Sequence, residues 1–182
     1  MDLRIVKTRG QIKVAFLRLR EYLMPDKIRV KDICELAMIN KTTFYNHYTD
    51  SAQLCEEIDN NAIDQVISAL PEPQSIFENS RAYITHLFKT LEKESDNLRL
   101  IFRGKQDVLC NKLEARLHSA YEVIVNSPED ETKISFAVGG FVSVVKDFLF
   151  TDTLHDIERL SEMIAHMLEP LSQRFHTAEQ PV

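Results

Sequence analysis

The stretch that decides the fold is Val-Lys-Asp-Ile-Cys-Glu-Leu-Ala-Met-Ile-Asn-Lys-Thr-Thr-Phe-Tyr-Asn-His-Tyr, residues 30–48. Its first half has apolar residues three and four positions apart, which is typical of a short amphipathic helix: Val30, Ile33, Cys34 and Ala37. Met38–Asn40 interrupts this spacing, and a second short helix is predicted over Lys41–Tyr48. Two short helices joined by a three-residue turn predict a helix-turn-helix.

The second of these helices is mostly polar. Phe44, with Ile39 before it, is expected in the core, whereas the other side chains are short or can form hydrogen bonds. Such side chains suit DNA base edges and phosphates better than a protein interior. This helix is therefore the candidate recognition helix.

Helical patterns flank this stretch on both sides. An earlier helix is predicted over Thr8–Leu23 and ends before Pro25, because proline disfavours helical geometry in the residue that precedes it. After the stretch, Asp50 is expected to cap a longer helix, with Gln53 completing a variant of the capping box. That helix reaches Leu70, where Pro71-Glu72-Pro73 forms the best candidate for a linker.

The rest of the chain is also helical in pattern, with no alternating runs typical of strands. Helices are predicted at about 76–93, 96–104, 107–125, 132–151 and 154–175. The fold class is therefore all-α, with a three-helix DNA-binding domain followed by a helical dimerisation and ligand-sensing bundle. The predicted domains are residues 1–70 and 71–176, and residues 177–182 are expected to form a disordered tail.

Charge is distributed unevenly along the chain. The formal net charge is −6, which by itself argues against a nucleic-acid partner. However, residues 1–48 hold ten Lys or Arg against five Asp or Glu, and residues 49–182 hold twelve against twenty-three. Such asymmetry indicates contact with nucleic acid through the basic end. A solvated basic surface is the alternative explanation.

Residues 30–48 resemble the signature of the tetracycline-repressor (TetR) family of transcriptional regulators, including the Tyr45-x-His47-Tyr48 run and the later Leu54. Within that family, Phe136–Phe141 is similar to a glycine-containing helix start in the branch of dihydroxyacetone-kinase operon regulators. The sequence departs from the pattern at Met38, where the family usually has glycine, and at Ser51, where lysine is common.

The resemblance implies a homodimer that binds a palindromic operator in double-stranded DNA and responds to a small molecule. Thr43 is then the expected base reader, Tyr45 and His47 the expected phosphate contacts, and residues before the first helix additional contacts. The full set of expected DNA-binding residues is Lys7, Arg9, Lys31, Lys41, Thr42, Thr43, Tyr45, Asn46 and His47.

The second half offers candidates for dimerisation and ligand binding. Two apolar stripes are expected at the dimer interface, although both could instead belong to the core of one chain: Phe141, Val145, Phe148 and Leu149, then Leu160, Ile164, Met167 and Leu171. Mixed aromatic and polar residues are candidate ligand contacts, with a satisfied core as the alternative: Tyr83, His86, Phe102, Arg103 and Tyr121.

Other functions find little support. His155, Glu158, Glu162 and His166 have helical spacing but lie on a polar face, where a solvated surface is favoured over a metal site. No catalytic residue and no cofactor is predicted. The three cysteines are widely spaced and are expected as small buried side chains in a reducing compartment. With neither a signal peptide nor a membrane span in the pattern, the expected location is the cytoplasm.

The sequence therefore predicts a DNA-binding transcriptional regulator that is not an enzyme, and specifically a repressor released by a small-molecule effector. Three alternatives stay open. The protein could be an activator or co-regulator that acts through a protein partner or a metabolite. It could be a metal-dependent helical enzyme. Finally, the departures at Met38 and Ser51 leave room for a helix-turn-helix that serves as an interaction surface without DNA.

Overall fold

The computed structural model describes residues 3–151 and 156–172, and these are helical apart from turns, with no strand among them. The predicted all-α class is confirmed. The predicted tail at 177–182 and the end of the last predicted helix lie outside the described residues.

The first three helices are α1 (Leu3–Arg20), α2 (Val30–Leu36) and α3 (Lys41–Tyr45). Helix α1 starts and ends earlier than predicted, and a short 3-10 turn at Pro25–Lys27 follows it. Helix α2 has Arg29 before its first residue, with extended backbone and no side-chain cap. Asp32 in its first turn carries the negative charge that suits a helix N-terminus.

Helix α4 (Ser51–Ser68) starts as the sequence indicates. The Oδ1 atom of Asp50 accepts a hydrogen bond from the backbone N–H of Gln53 at 2.7 Å. In return, the Oε1 atom of Gln53 accepts from the backbone N–H of Thr49, also at 2.7 Å. Because the return bond falls one residue earlier than in the usual capping box, the cap also fixes the chain that enters α4.

The later helices are α5 (Ser75–Glu78), α6 (Ser80–Phe102), α7 (Gln106–Tyr121), α8 (Pro128–Phe150) and α9 (Ile157–Ser172). Several of the predicted boundaries in this region were wrong. The helices expected at 76–93 and 96–104 are the short α5 and one continuous α6. The polar residues between the two predicted helices lie on the exposed face of α6. Leu91 and Leu98 continue its buried face at helical spacing. Helix α8 starts at Pro128, because the Ser127 side chain caps it and proline fits the first helical position.

The chain divides into two compact units. The first contains Met1–Ala62 and Asn97–Gln106, and the second contains Ile63–Asp96 and Asp107–Val182. The domain boundary near residue 70 stays a prediction, since it concerns which segments carry separate functions.

Each unit has its own apolar core. In the first unit, Ile12, Ile33, Phe44 and Leu54 have no exposed surface. Burial of side chains of this size stabilises a fold by about 1.5–3 kcal/mol each. In the second unit, the Phe88 ring lies 5.9 Å from the Phe141 ring and 5.1 Å from the Phe148 ring, measured between centroids.

Candidate nucleic-acid interface and ligand cavity

The turn between α2 and α3 contains a residue in left-handed conformation. Met38 has φ of 55°, and its side chain is 93% exposed. A left-handed residue other than glycine carries a cost of about 1–2 kcal/mol. The sequence indicated that methionine would be less free than glycine at this position. The chain nevertheless adopts the turn, which allows α3 to follow α2 after three residues.

Asn40 caps α3 and fixes Thr43. Its Oδ1 atom accepts the backbone N–H of Thr43 at 2.7 Å and the Thr43 hydroxyl at 2.9 Å. The hydroxyl proton of Thr43 is therefore already donated. A base that meets Thr43 finds its oxygen as an acceptor and its methyl group as an apolar contact. Asn40 was not among the predicted site residues, although asparagine directly before a helix is a recognisable cap.

Most of the expected recognition residues lie on the surface of the first unit. Lys41, Thr42, Tyr45 and Asn46 are exposed, and His47 and Thr43 are half-buried. The Tyr45 ring is 55% exposed and meets the buried Phe44 ring edge-on at 5.6 Å. This contact orients the Tyr45 ring against the core while more than half of the residue stays exposed.

The basic residues outside α3 differ in their surroundings. Lys7 and Lys31 are exposed. The guanidinium of Arg9 forms an ion pair with Glu57 and lies 5.4 Å from the centre of the Tyr48 ring. Arg9 is therefore part of an intramolecular cluster, although 42% of its side chain is exposed.

Glu57 is the centre of that cluster. Its Oε1 atom is 2.7 Å from Lys13 Nζ and 3.5 Å from the Tyr48 hydroxyl. Burial raises the pKa of Glu57, but the hydrogen bonds and charges of Lys13 and Arg9 together outweigh burial, and the net pKa lies below its ordinary value. Glu57, on α4, thus joins α1 and Tyr48 while it is ionised.

The second unit contains a cavity of about 340 Å³ with almost entirely apolar walls. Two of the five candidate ligand residues, Tyr83 and Tyr121, line it. The Tyr121 hydroxyl donates to the Tyr83 hydroxyl at 3.1 Å, and both side chains are buried. Burial raises the pKa of each tyrosine, so both remain neutral phenols.

The other three candidate ligand residues do not line this cavity. His86 is exposed, and its Nε2 atom lies 2.8 Å from the carbonyl oxygen of Ala69. Phe102 and Arg103 belong to the first unit, where Phe102 is fully buried and Arg103 donates to backbone carbonyls near the end of α1. The apolar wall residues that do line the cavity come from distant segments, and their spacing is that of any buried helix face.

Comparison with solved structures identifies this architecture. A TetR transcriptional regulator from Streptococcus agalactiae 2603V superposes with a TM-score of 0.68, 23% identity and coverage of 91% of this chain and 96% of its own. The chain has the TetR-regulator fold. No family model matches the chain, and neither does any curated protein sequence.

Two further solved structures have the TetR-regulator fold in common with this chain. The TetR-family repressor AlkX from Dietzia sp. strain DQ12-45-1b, implicated in biodegradation of n-alkanes, has a TM-score of 0.56 and 13% identity, covering 96% of this chain and 99% of its own. The dihydroxyacetone kinase operon activator DhaS has a TM-score of 0.58 and 17% identity, covering 93% and 98%.

The apolar stripes expected at a dimer interface are largely internal in the TetR-like fold of this chain. Val145, Phe148 and Leu149 on α8 and Ile164 on α9 are buried within the second unit. Met167 is 64% exposed, and the Leu171 side chain lies outside the described residues. The sequence pattern indicated which helices have apolar faces but could not show which of these faces is covered by the same chain.

The polar face of α9 forms ion pairs with α6. Glu158 lies 3.1 Å from Lys89 and Glu162 lies 3.8 Å from Arg81, while His166 is 3.3 Å from Glu169. His155 lies outside the described residues. Within residues 3–151 and 156–172, no group of three or more His, Cys, Asp or Glu side chains is placed to hold a metal ion.

Cys55 has a basic neighbour that its local sequence does not reveal. The Lys105 ammonium lies 3.1 Å from the Cys55 sulfur and also pairs with Asp59. Cys34 is buried, and Cys55 and Cys110 are half-buried free thiols. As for membranes, none of the helices in the described part of the chain is both long and apolar enough to span one.

Proposed function

We propose that the protein is a sequence-specific DNA-binding transcriptional regulator that acts in the cytoplasm as a homodimer on a palindromic operator. The observation that carries this proposal is α3, a capped helix that directs polar side chains outward after a left-handed turn at Met38. A helix with these properties fits the major groove, whose base edges are read by hydrogen-bonding side chains. The TetR-regulator fold supports the same conclusion.

The recognition residues divide by the chemistry that they offer. Thr43 presents an acceptor oxygen and a methyl group at the start of α3, and we assign it base reading together with Thr42 and Asn46. Lys41, Tyr45 and His47 are assigned to phosphates, because charged and phenolic donors fix the position of the helix on the duplex. Lys7 and Lys31 are exposed and suit additional phosphate contacts. Arg9 acts mainly through Glu57.

The homodimer is assigned to an exposed face of α8 and α9. Phe136 is 78% exposed, Met163 50% and Met167 64%. On α8, Gly139 and Gly140 face open space, so another chain can approach the helix backbone closely there. Exposed apolar side chains that share one face are suited to burial against a second chain. Residues 71–176 then serve dimerisation and sensing, and residues 1–70 serve DNA binding.

The sign of regulation follows from how a small molecule acts on the dimer. We propose repression that is released when the cavity is occupied, since binding to one conformation shifts the population away from the DNA-competent one. AlkX is described as a repressor, whereas DhaS is described as an operon activator. Activation is therefore the second candidate. A reporter gene behind the selected operator separates the two: repression predicts higher expression when this protein is deleted.

The experiment that tests the proposal is selection of genomic DNA on the purified protein, followed by affinity measurement at two salt concentrations. We expect a palindrome, and binding that weakens steeply as salt rises, because phosphate contacts release counterions. Thr43→Ala is expected to relax base preference. Tyr45→Phe is expected to weaken binding to all sequences about equally, since a phosphate contact carries no base information.

Two matched variants control for nonspecific effects of substitution. Thr132→Ala removes an exposed threonine from α8, and Tyr22→Phe removes a hydroxyl from a tyrosine that is 82% exposed in the first unit. Both are expected to bind as the wild type does. If no sequence is enriched and binding is weak even at low salt, the DNA-binding proposal is wrong, and protein partners become the next candidates.

A further inference from the structure

The cavity of the second unit has the size and composition of a small-molecule site. Its volume of about 340 Å³ lies at the lower end of the range of roughly 300–1,000 Å³ typical of such sites. The walls are formed mainly by aliphatic and aromatic side chains, including Leu87, Leu117 and Val138.

The polar groups at the cavity limit what charge it accepts. Lys133 lines it, but its ammonium lies 3.1 Å from Glu129 and 4.0 Å from Asp130, so its charge is balanced within α8. The Ser80 hydroxyl donates to the carbonyl oxygen of Ile76 at 2.7 Å. A carboxylate that entered would lose its hydration and meet a cation that is already paired. Burial of an ion without a partner is strongly unfavourable.

The tyrosine pair supplies one directional contact. Two phenols carry two hydroxyl protons, and the bond from Tyr121 to Tyr83 uses one of them. The Tyr83 hydroxyl therefore has its own proton to donate, and both residues line the cavity. A ligand with one acceptor atom satisfies this proton. A ligand with several hydroxyl groups would leave most of them unsatisfied against apolar walls, at a cost for each.

We infer that this cavity binds a neutral, mainly apolar small molecule that carries a single hydrogen-bond acceptor, received by the hydroxyl pair of Tyr83 and Tyr121. Medium-chain ketones and esters belong to this class. The inference deepens the proposed function by naming the class of its effector. It rests on that function only for the effect on DNA, because the residues that line the cavity all belong to the second unit.

The test is isothermal titration calorimetry of the full chain with decan-2-one, sodium decanoate and sorbitol. These probes present one neutral acceptor, one charge and many hydroxyls, respectively. We expect decan-2-one to bind at least tenfold more tightly than decanoate, and sorbitol not to bind. Comparable or tighter binding of decanoate or sorbitol would overturn the assigned class.

Variants of the cavity test the assigned contacts. Substituting Tyr83→Phe and Tyr121→Phe together removes both donors with little change in volume, and is expected to weaken decan-2-one binding about fivefold or more. Tyr22→Phe, on an exposed tyrosine of the first unit, is the matched control and is expected to leave the affinity unchanged. Unchanged affinity in the double variant would overturn the role of the pair.

Occupancy of the cavity is tested separately. Val138→Phe places a larger side chain in the cavity wall and is expected to abolish binding of decan-2-one. Ala137→Leu, also in the wall, is the milder substitution if Val138→Phe fails to fold, as checked by circular dichroism. Retention of full affinity in a folded, cavity-filled variant would place the ligand elsewhere and overturn the inference.

Failure of this inference and failure of the proposed function are distinguishable. Adding decan-2-one to the complex of protein and selected DNA tests the regulatory consequence. Release of DNA supports the effector class. Tight calorimetric binding without any change in DNA affinity would leave the cavity assignment intact and contradict the effector role. Failure to select any DNA contradicts the proposed function and leaves the calorimetric result as it stands.

Discussion

Arg20 and Arg103 form a reciprocal pair of helix-end contacts. The Arg20 side chain binds backbone carbonyls at the end of α6, and the Arg103 side chain binds backbone carbonyls at the end of α1. Arg20, the last residue of α1, donates to the carbonyl oxygens of Leu100, Ile101 and Arg103 at 3.1, 3.2 and 2.8 Å. Arg103, just after α6, donates to the carbonyl oxygens of Arg20 and Glu21. Both helix ends in the first unit therefore have guanidinium donors for carbonyls that lack a partner within their own helices.

Arg20→Met is expected to destabilise the first unit strongly. The Arg20 side chain is fully buried, and burial, followed by the charge of Arg103, lowers its pKa. Methionine fills similar space but leaves buried carbonyls without donors, which costs about 1–3 kcal/mol for each unsatisfied group. We expect the free energy of unfolding in urea to fall by about 2–4 kcal/mol, less than the full sum because water can reach part of the site.

Arg18→Met is the matched control for that measurement. Arg18 lies on the same helix but is exposed, so its replacement is expected to change the free energy of unfolding by less than about 0.5 kcal/mol. Arg20→Lys is expected to destabilise nearly as much as Arg20→Met, since a lysine cannot reproduce the forked donors. Equal stability of Arg20→Met and the wild type would show that the buried guanidinium contributes no net stability.

Glu57 is expected to make stability depend on pH in the acidic range. Its pKa is lower in the folded protein than its ordinary value of 4.5, because Lys13 and Arg9 together outweigh the opposing effect of burial. The contribution is therefore present above the pKa of the unfolded chain and is lost as pH falls through the lower pKa of the folded state. Glu57→Gln should reduce the loss of stability below about pH 4.5.

The measurement is the free energy of unfolding in urea between pH 3 and pH 7, with Glu56→Gln as control. Glu56 neighbours Glu57 on α4 but is exposed. Its variant is expected to retain the pH profile of the wild type. A Glu57→Gln profile that parallels the wild type throughout would mean that the cluster around Glu57 does not contribute to acid sensitivity.

The sequence indicated local features of this molecule and missed those that depend on distant residues. Asp50 and Gln53 were recognisable as a cap because both partners lie within one helical turn. The pair of Arg9 and Glu57 joins residues 48 positions apart, and local sequence patterns carry no signal for such a contact. A phosphate contact by Arg9 stays a prediction, since 42% of its side chain remains exposed beside Glu57.

The candidate ligand site shows the same division. Tyr83 and Tyr121 were predicted as ligand contacts from their chemistry, and the fold brings their hydroxyls together. Phe102 and Arg103 were predicted as ligand contacts on the same chemical grounds. However, both belong to the first unit, whereas the cavity lies in the second. A continuous α6 was itself missed, because its polar segment resembles a break until the buried Leu91 and Leu98 are placed on one face.

Met38→Gly is expected to stabilise the protein. Met38 adopts φ of 55° with an exposed side chain, so glycine relieves strain and removes few contacts. Glycine also increases the entropy of the unfolded chain, which opposes part of the gain. We expect a net increase in the free energy of unfolding of about 0.5 kcal/mol.

Leu36→Gly, in helical conformation two residues earlier, is the control and should lower stability by about 1 kcal/mol. Loss of stability in both variants would show that the left-handed turn is not strained.

Phe136→Ser is expected to convert the proposed dimer into a monomer. Phe136 is 78% exposed beside Gly139 and Gly140 on α8, where a second chain can approach closely. Burial of an aromatic side chain of this kind contributes about 1.5–3 kcal/mol per chain, and a symmetric interface contains it twice. Sedimentation velocity at micromolar concentration should therefore show a shift from dimer to monomer, and affinity for the palindrome should fall with it. Val123→Ser is the control, because Val123 is 69% exposed and belongs to the turn after α7 instead of α8 or α9. A Phe136→Ser protein that sediments as a dimer would place the association surface elsewhere. A wild type that binds the palindrome as a monomer would contradict the proposed dimer itself.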